Sequence, residues 1–153
     1  MLSGSSMNGS KQYLFIYGSF LREAAPPQIR ALCRRLHPVA PATIVGSLYD
    51  INGYPALSLT LSDVPVYGEI VTVGSASHWL RLDIYEGVNH VRPQRSRFRR
   101  VRTIATTDTG QQIECWVYVY NRDPRALRTA RRIECGCWRT HLFQRDDVTV
   151  VPC

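Results

Sequence analysis

The fold is decided by residues 43–74, which read TIVGSLYDINGYPALSLTLSDVPVYGEIVTVG. Short runs of apolar, branched and aromatic side chains alternate here with turn-forming residues; the runs are 43–50, 55–60 and 66–73, and the turns are Asn52-Gly53 and Asp63/Pro65. Runs of this kind between turn residues are typical of β-strands. We therefore predict a series of short strands in the middle of the chain.

Upstream of this stretch, the sequence predicts one strand and one short helix. Residues 12–17 (QYLFIY) are apolar and aromatic, and Gly18-Ser19 breaks the run. Farther along, Pro27 suits the first position of a helix, and Pro38 cannot continue one. A helix over residues 27–36 is therefore expected.

Downstream, the sequence predicts a helix and a hairpin. Ser75 or Ser77 can cap a helix whose natural end is Gly87. The turn residues Asp108-Thr109-Gly110 predict a hairpin. The remaining expectations are strands at 98–107 and 111–120, a loop with one or two helical turns at 121–132, and a last strand at 148–151.

The number of short strands favours an α+β fold. The chain has 153 residues, of which 44% are hydrophobic, and this suffices for the core of a single domain. We expect a small mixed, mostly antiparallel β-barrel flanked by helices in residues 11–153. Residues 1–10 are expected to form a flexible N-terminal tail.

Composition limits the location and the partners of the protein. No apolar run reaches the length of a membrane span, and the N-terminal residues lack the pattern of a secretory signal. The five cysteines are an odd number without a disulfide spacing, so we expect a cytoplasmic protein with free thiols. Cys135, Cys137 and His141 lack the second ligand pair of a zinc site. The net charge of +7 comes from arginine, apart from Lys11, and arginine suits carboxylate or phosphate partners.

Glu86 is the most informative candidate for chemistry. It lies in the last turn of the predicted helix, three residues after Asp83. Helix-end carbonyl groups, the charge of Asp83 and burial beside Trp79 or Tyr85 would all raise the pKa of this carboxyl group. A carboxyl group tuned in this way can exchange protons near neutral pH. A solvated glutamate at a helix end is the alternative at this point.

The break at Tyr17-Gly18-Ser19-Phe20 is a second candidate site. It directly follows a predicted buried strand, and its glycine allows backbone N–H groups to face outward as a small nest. Such a nest, together with the Ser19 hydroxyl, can hold a carboxylate or polarise a carbonyl oxygen. An ordinary turn is the alternative.

Several short motifs occur in an order that resembles the gamma-glutamylcyclotransferase and AIG2-like family. The segments LFIYGSFLR at 14–22 and LRLDIYEG at 80–87 resemble the family's YG[ST] loop and its L-x-x-L-D-x-x-E-G segment. Further similar segments are GSLY at 46–49, YPAL at 54–57, VYGEI at 66–70, FRR at 98–100, CWVY at 115–118 and GCWR at 136–139.

The resemblance implies an enzyme that acts on a small γ-glutamyl substrate and needs no metal or organic cofactor. In this family a glutamate, here Glu86, takes a proton from the substrate's α-ammonium group. The freed amine attacks the γ-carbonyl and forms 5-oxoproline, and the same acid protonates the departing amine. Substrate binding is implied for Tyr17, Gly18, Ser19, Phe20, Arg100 and Tyr118.

This sequence departs from the family pattern at two places. Phe98 stands where a tyrosine is usual, so a hydroxyl contact is lost. Arg100, on the same strand face, can still pair with a substrate carboxylate, and a structural ion pair is the alternative for it. The arginine-rich insert at 88–97 is longer than in many relatives and can alter which leaving amine is accepted.

Two other classes of function stay open. A non-catalytic AIG2-like module would bind a small anionic ligand in the same pocket. A nucleic-acid binder would use a strand that presents Arg95, Arg97 and Arg99 on one face. Because Phe98 is the single interleaved aromatic residue, we do not expect nucleic acid as a partner. We expect a monomer or a weak dimer that does not enter a membrane.

Overall fold

The computed structural model describes residues 12–21, 24–60 and 64–145. The described strands are β1 Gln12–Ile16, β2 His37–Val45, β3 Ser47–Ile51, β4 Tyr54–Ser58, β5 Pro65–Val73, β6 Phe98–Thr107, β7 Gln112–Tyr120 and β8 Ala130–Arg132. The described α-helices are α1 Arg30–Cys33, α2 Ala76–Glu86 and α3 Trp138–Arg145. Short 3-10 turns occupy Pro27–Ile29, Pro93–Arg95 and Pro124–Ala126. The predicted tail at 1–10 and the predicted strand at 148–151 lie outside the described residues.

Five of the strands close into a barrel in the order β1-β5-β2-β6-β7. The barrel pairs are antiparallel except for the pair that closes it, in which β1 runs parallel to β7 with Leu14 opposite Trp116. A second sheet has the order β4-β3-β8. The α+β prediction of a small mixed, mostly antiparallel barrel flanked by helices is confirmed.

Residues Leu14 to Ile16 of strand β1 are all apolar because both faces of the strand are buried there. Leu14 and Ile16 belong to a core cluster that includes side chains of α1 and α2. The Phe15 side chain points to the opposite face of the strand and belongs to a second cluster that includes Trp138 of α3. Successive side chains of a strand point to opposite faces, so a strand between two cores shows no alternation of apolar and polar residues.

Two predicted segments differ from the structure around the prolines and Gly46. Strand β2 begins at His37 and includes Pro38, which the sequence analysis interpreted only as the end of a helix. The pairing register between β2 and β5 shifts between Pro38 and Ala40. Such an irregularity allows a strand to contain a proline, which has no N–H donor. The predicted single segment 43–50 is divided at Gly46 into β2 and β3, which belong to different sheets.

The other differences concern short or polar elements. The helix expected over 27–36 is a 3-10 turn followed by the four residues of α1. The loop predicted at 121–132 contains its expected helical turn and also strand β8. Helix α3 was not predicted because its few apolar residues give a weak helical pattern.

The expectation of free thiols is confirmed for three of the described cysteines and is wrong for one. Cys33, Cys115 and Cys135 are free. Cys137 is disulfide-bonded, which corrects the expectation for that residue. Within the described ranges, the helices are too short or too polar to cross a membrane.

Candidate active site

Glu86 is held in place by the end of helix α2. The Ser75 side chain caps the start of this helix by accepting a hydrogen bond from the His78 N–H group. The helix ends where Gly87 takes a left-handed conformation with φ 72°, and the Val88 N–H group donates to the Asp83 carbonyl at 2.9 Å. This arrangement is a Schellman motif, which favours glycine. It fixes the backbone of Glu86, whose residue surface is only 6% exposed.

The pKa of the Glu86 carboxyl group is raised to about 8 because the group is buried. Its hydrogen bond from Tyr54 and the charge of Arg97 oppose this effect. The Tyr54 hydroxyl lies 3.3 Å from Glu86 Oε2 and donates to it. Burial penalises the charged form of a carboxylate, whereas a donor and a nearby cation stabilise it. The resulting pKa suits a group that both accepts and donates a proton near neutral pH.

The loop from Tyr17 to Phe20 approaches the start of strand β4 very closely. A Cβ atom on Gly18 would overlap the Pro55 side chain, 2.7 Å from its Cβ, so the position admits only glycine in this conformation. The loop turns back on itself through a 2.9 Å hydrogen bond from the Leu21 N–H group to the Gly18 carbonyl. The N–H groups of Ser19 and Phe20 have no hydrogen-bond acceptor among the described residues.

One small cavity joins Glu86 to this loop. The side chain of Tyr118 and the strand residues before the loop complete its wall; the lining residues are Phe15, Ile16, Tyr17, Gly18, Ser19, Phe20, Pro55, Glu86 and Tyr118. Its internal space of about 10 Å³ has room for roughly one water molecule. The structure therefore brings together all the predicted site residues except Arg100.

Arg100 forms the ion pair that the sequence left as an alternative. Its guanidinium group donates to both Asp83 oxygens, at 3.1 and 3.2 Å. It is stacked between the rings of Trp79 and Trp116, 4.4 and 4.9 Å from their centroids. Arg100 is thus held by Asp83 and lies outside the set of residues that line the cavity of Glu86.

Asp83 connects helix α2 to the barrel. Besides the two bonds from Arg100, it accepts a 2.6 Å hydrogen bond from the Tyr118 hydroxyl and contacts His90 Nε2 at 3.1 Å. Because Arg100 balances its charge, Asp83 does not act as the like charge that the sequence analysis assigned to it, and burial raises the pKa of Glu86 instead. Burial, followed by the bond to Asp83, also raises the pKa of Tyr118, so this hydroxyl remains a donor.

Sequence reasoning missed two residues beside Glu86. Tyr54 appeared only as part of a family motif, and Arg97 only as one of many arginines. In the structure the Arg97 guanidinium carbon lies 4.3 Å from the centre of the Tyr54 ring, and Tyr54 in turn binds Glu86. The aromatic residue directly after the Asn52-Gly53 turn was the available signal for Tyr54. No sequence pattern pointed to Arg97.

The arginine cluster does not form the strand face that the alternative of a nucleic-acid binder would require. Arg95 lies in a 3-10 turn, and Arg97 precedes the first residue of β6, Phe98. Arg102 is paired with Glu114 at 2.6 Å. The idea of a phosphate-tracking row built from Arg95, Arg97 and Arg99 was therefore wrong as a structural prediction.

The cysteine and histidine residues near the C-terminus are engaged in other contacts. The Thr140 N–H group donates to Cys137 Sγ at 3.4 Å. His141 Nε2 lies 2.6 Å from Asp50 Oδ2. In the part of the chain that the structure describes, no three His, Cys, Asp or Glu side chains are grouped as metal ligands.

The structure has a small barrel in which a buried glutamate and a glycine-containing loop line one cavity. Comparison with known families identifies the class of protein to which this arrangement belongs. The family model "Gamma-glutamyl cyclotransferase, AIG2-like" matches residues 14–140. The chain therefore belongs to the gamma-glutamyl cyclotransferase, AIG2-like family. Among curated proteins, none matches this sequence.

Solved structures agree with the fold. YkqA from Bacillus subtilis superposes with a TM-score of 0.65 at 19% identity, over 90% of this chain and 43% of YkqA, so this chain spans less than half of that protein. The uncharacterised protein PH0828 from Pyrococcus horikoshii has a TM-score of 0.62 at 13% identity, over 89% and 97% of the two chains. A gamma-glutamyl cyclotransferase has a TM-score of 0.56 at 19% identity, over 72% and 66%. At these identities the comparisons establish the fold.

Proposed function

We propose that this protein is a gamma-glutamylcyclotransferase that releases 5-oxoproline and a free amine from a γ-glutamyl amide or peptide. One observation carries the proposal: Glu86, a buried carboxyl group with a pKa of about 8, lines the same cavity as Ser19 and Phe20, whose N–H groups have no acceptor in the described part of the chain. Family membership supports it.

Glu86 acts first as a base in the proposed mechanism. Its carboxylate takes a proton from the substrate's α-ammonium group. The free α-amine then attacks the γ-carbonyl carbon and forms the new C–N bond of a five-membered ring. Because nucleophile and electrophile belong to one molecule, the protein contributes mainly by folding the substrate into the reactive conformation.

Glu86 acts next as an acid. The amide C–N bond to the leaving group breaks, and the proton held by Glu86 passes to the leaving nitrogen. The ring nitrogen carries two protons after the attack and loses one of them to the departing amine. The products are therefore 5-oxoproline and an ammonium ion, and the Glu86 carboxylate is regenerated. A pKa near the working pH serves both steps because the group must change its protonation state twice in each turnover.

The Tyr17–Phe20 loop stabilises the charge that develops on the γ-carbonyl oxygen or holds the α-carboxylate of the substrate. The N–H groups of Ser19 and Phe20 are the donors for this role. The cavity has room for only about one water molecule, so the γ-glutamyl head enters when lining side chains such as Phe20 move outward. Phe20 packs against Tyr85 and Tyr118, at ring distances of 5.5 and 6.2 Å.

The experiment is a comparison of Glu86→Gln with the parent on a panel of γ-glutamyl amino acids, peptides and amides, with 5-oxoproline as the readout. The substitution keeps the shape of the side chain and removes proton exchange, so kcat should fall by roughly 10²–10⁴-fold. Glu114→Gln, at an exposed pair on the barrel wall, is the matched control. Parental turnover by Glu86→Gln would disprove the mechanism, and binding without product by the parent would favour the non-catalytic module.

A further inference from the structure

Arg97 is an exposed cation fixed beside the candidate active site. Its backbone is anchored on both sides, because its N–H group donates to the Gly87 carbonyl at 2.9 Å and its carbonyl accepts from the Asn121 N–H group at 3.0 Å. Its guanidinium group stacks on the Tyr54 ring at 4.3 Å. The hydroxyl of that ring donates to Glu86. The backbone therefore holds this positive charge one aromatic ring away from Glu86.

Arg97 forms no ion pair with a carboxylate among the described residues. The arginines that form ion pairs there are Arg100, Arg102, Arg125 and Arg139. Arg97 is solvent-exposed and acts electrostatically on Glu86. A guanidinium group stacked on a ring keeps the N–H groups of its edge available, and their planar fork matches a carboxylate.

The position of the leaving amine follows from the proposed reaction. Glu86 protonates the leaving nitrogen, so this nitrogen must lie within hydrogen-bonding distance of its carboxyl group. The γ-glutamyl head occupies the side of Glu86 that faces the Tyr17–Phe20 loop, so the substituent of the leaving nitrogen must extend away from that loop. Tyr54 contacts the Glu86 carboxyl group, Arg97 stacks on the Tyr54 ring, and Arg97 is the cation whose charge acts on Glu86.

We propose that Arg97 is a specificity-determining residue that selects substrates whose leaving amine carries a carboxylate. This inference rests on the proposed function, and it names γ-glutamyl amino acids and peptides, rather than γ-glutamyl alkylamides, as the preferred substrate class. A carboxylate one carbon away from the leaving nitrogen would receive a charge-assisted, two-pronged hydrogen bond from Arg97.

The test uses two substrates that differ only by this carboxylate, γ-glutamyl-alanine and γ-glutamyl-ethylamide. For the parent, kcat/KM should be higher for γ-glutamyl-alanine. Arg97→Gln should lower kcat/KM for γ-glutamyl-alanine by roughly 10–100-fold, the range of a hydrogen bond to a charged group. The comparison is made at pH 9, where Glu86 is ionised even without the charge of Arg97. There the same substitution should change kcat/KM for γ-glutamyl-ethylamide by less than about 3-fold, since that substrate lacks the carboxylate that the bond requires.

The control is Arg99→Gln, because Arg99 is an exposed neighbour that contacts neither Tyr54 nor Glu86 among the described contacts. It should leave both substrates unchanged. An equal effect of Arg97→Gln on both substrates, or no effect on either, would overturn the specificity role while leaving the cyclotransferase activity in place. Absence of 5-oxoproline from both substrates with the parent protein would overturn the proposed function and this inference together.

Discussion

The Tyr118 hydroxyl donates a 2.6 Å hydrogen bond to Asp83 Oδ1. The backbone carbonyl of the same tyrosine accepts a 2.7 Å hydrogen bond from the Tyr17 hydroxyl. A single residue of β7 thus links the helix that carries Glu86 to the loop that faces it. The relative position of the two halves of the site depends on this link.

Asp83→Asn should destabilise the protein strongly. The substitution removes the buried charge that balances Arg100, and loss of one partner of a buried ion pair typically costs about 3–5 kcal/mol. Because the Arg100 side chain is about a quarter exposed, water partly screens its charge, and the expected loss of unfolding free energy is about 2–3 kcal/mol. Urea denaturation measures it. Glu114→Gln breaks an exposed pair and should cost less than about 1 kcal/mol; equal losses would contradict the role of Asp83.

Glu86 should make the protein less stable as the pH rises. The pKa of this group is about 8 in the folded state against 4.5 for the ordinary side chain, so the folded state binds more protons between these values. The free energy of unfolding should therefore fall from about pH 4.5 to about pH 8 and then level off.

Glu86→Gln should remove this pH dependence. Above pH 8 the variant should be more stable than the parent, on the order of 3 kcal/mol, or about 6–12 °C in Tm. Near pH 4.5 the difference should vanish. Thermal denaturation across this range provides the measurement, and parallel curves for the two proteins would show that the buried carboxyl group is not the cause.

Tyr54→Phe should shift the acid limb of the rate profile to higher pH. The hydrogen bond from Tyr54 lowers the pKa of Glu86, so its loss raises that pKa and leaves less carboxylate at pH 7. We expect kcat/KM for a γ-glutamyl substrate to fall roughly 3–10-fold at pH 7 and to recover toward pH 9. Tyr120→Phe, which alters a neighbouring ring of the same cluster, should leave the profile in place. A uniform loss at every pH would contradict this explanation.

Gly18→Ala should impair substrate binding through the loop. A methyl group at this position overlaps the Pro55 side chain, so the loop must move and carry the Ser19 and Phe20 N–H groups with it. We expect kcat/KM to fall by roughly 10²-fold, as for other displacements of positioning groups. Gly74→Ala is the control, because nothing lies within 4 Å of its added atom. Full activity of Gly18→Ala would mean that the loop does not position the substrate.

Local sequence signals were sufficient to predict the bounds of elements that depend mainly on their own residues. The bounds of β6 match the predicted 98–107, and α2 runs between the predicted caps Ser75 and Gly87. Strand β2 was only half predicted, because the tolerance of Pro38 depends on the register with β5 and not on the proline alone.

The sequence motifs predicted the site residues that lie within those motifs, but not the contacts between distant segments. Glu86 and the loop from Tyr17 to Phe20 were identified from their order along the chain. The bond from Tyr54 joins residues 32 positions apart, and its existence depends on how the second sheet packs against α2. The pairing of Asp83 with Arg100 likewise reverses the electrostatic role expected from helix spacing, because the balancing charge comes from a distant strand.

The parallel closure of the barrel has a consequence for synthesis on the ribosome. The hydroxyl of Tyr17 donates a hydrogen bond to a carbonyl 101 positions later, and one of the two edges of the preceding strand, β1, is paired only when β7 is present. A nascent chain that has emerged with both Glu86 and the glycine loop still lacks the wall between them. Strand pairings between residues so far apart in the sequence form slowly. The active site should therefore be completed late, after β7 has been synthesised and has paired with β1.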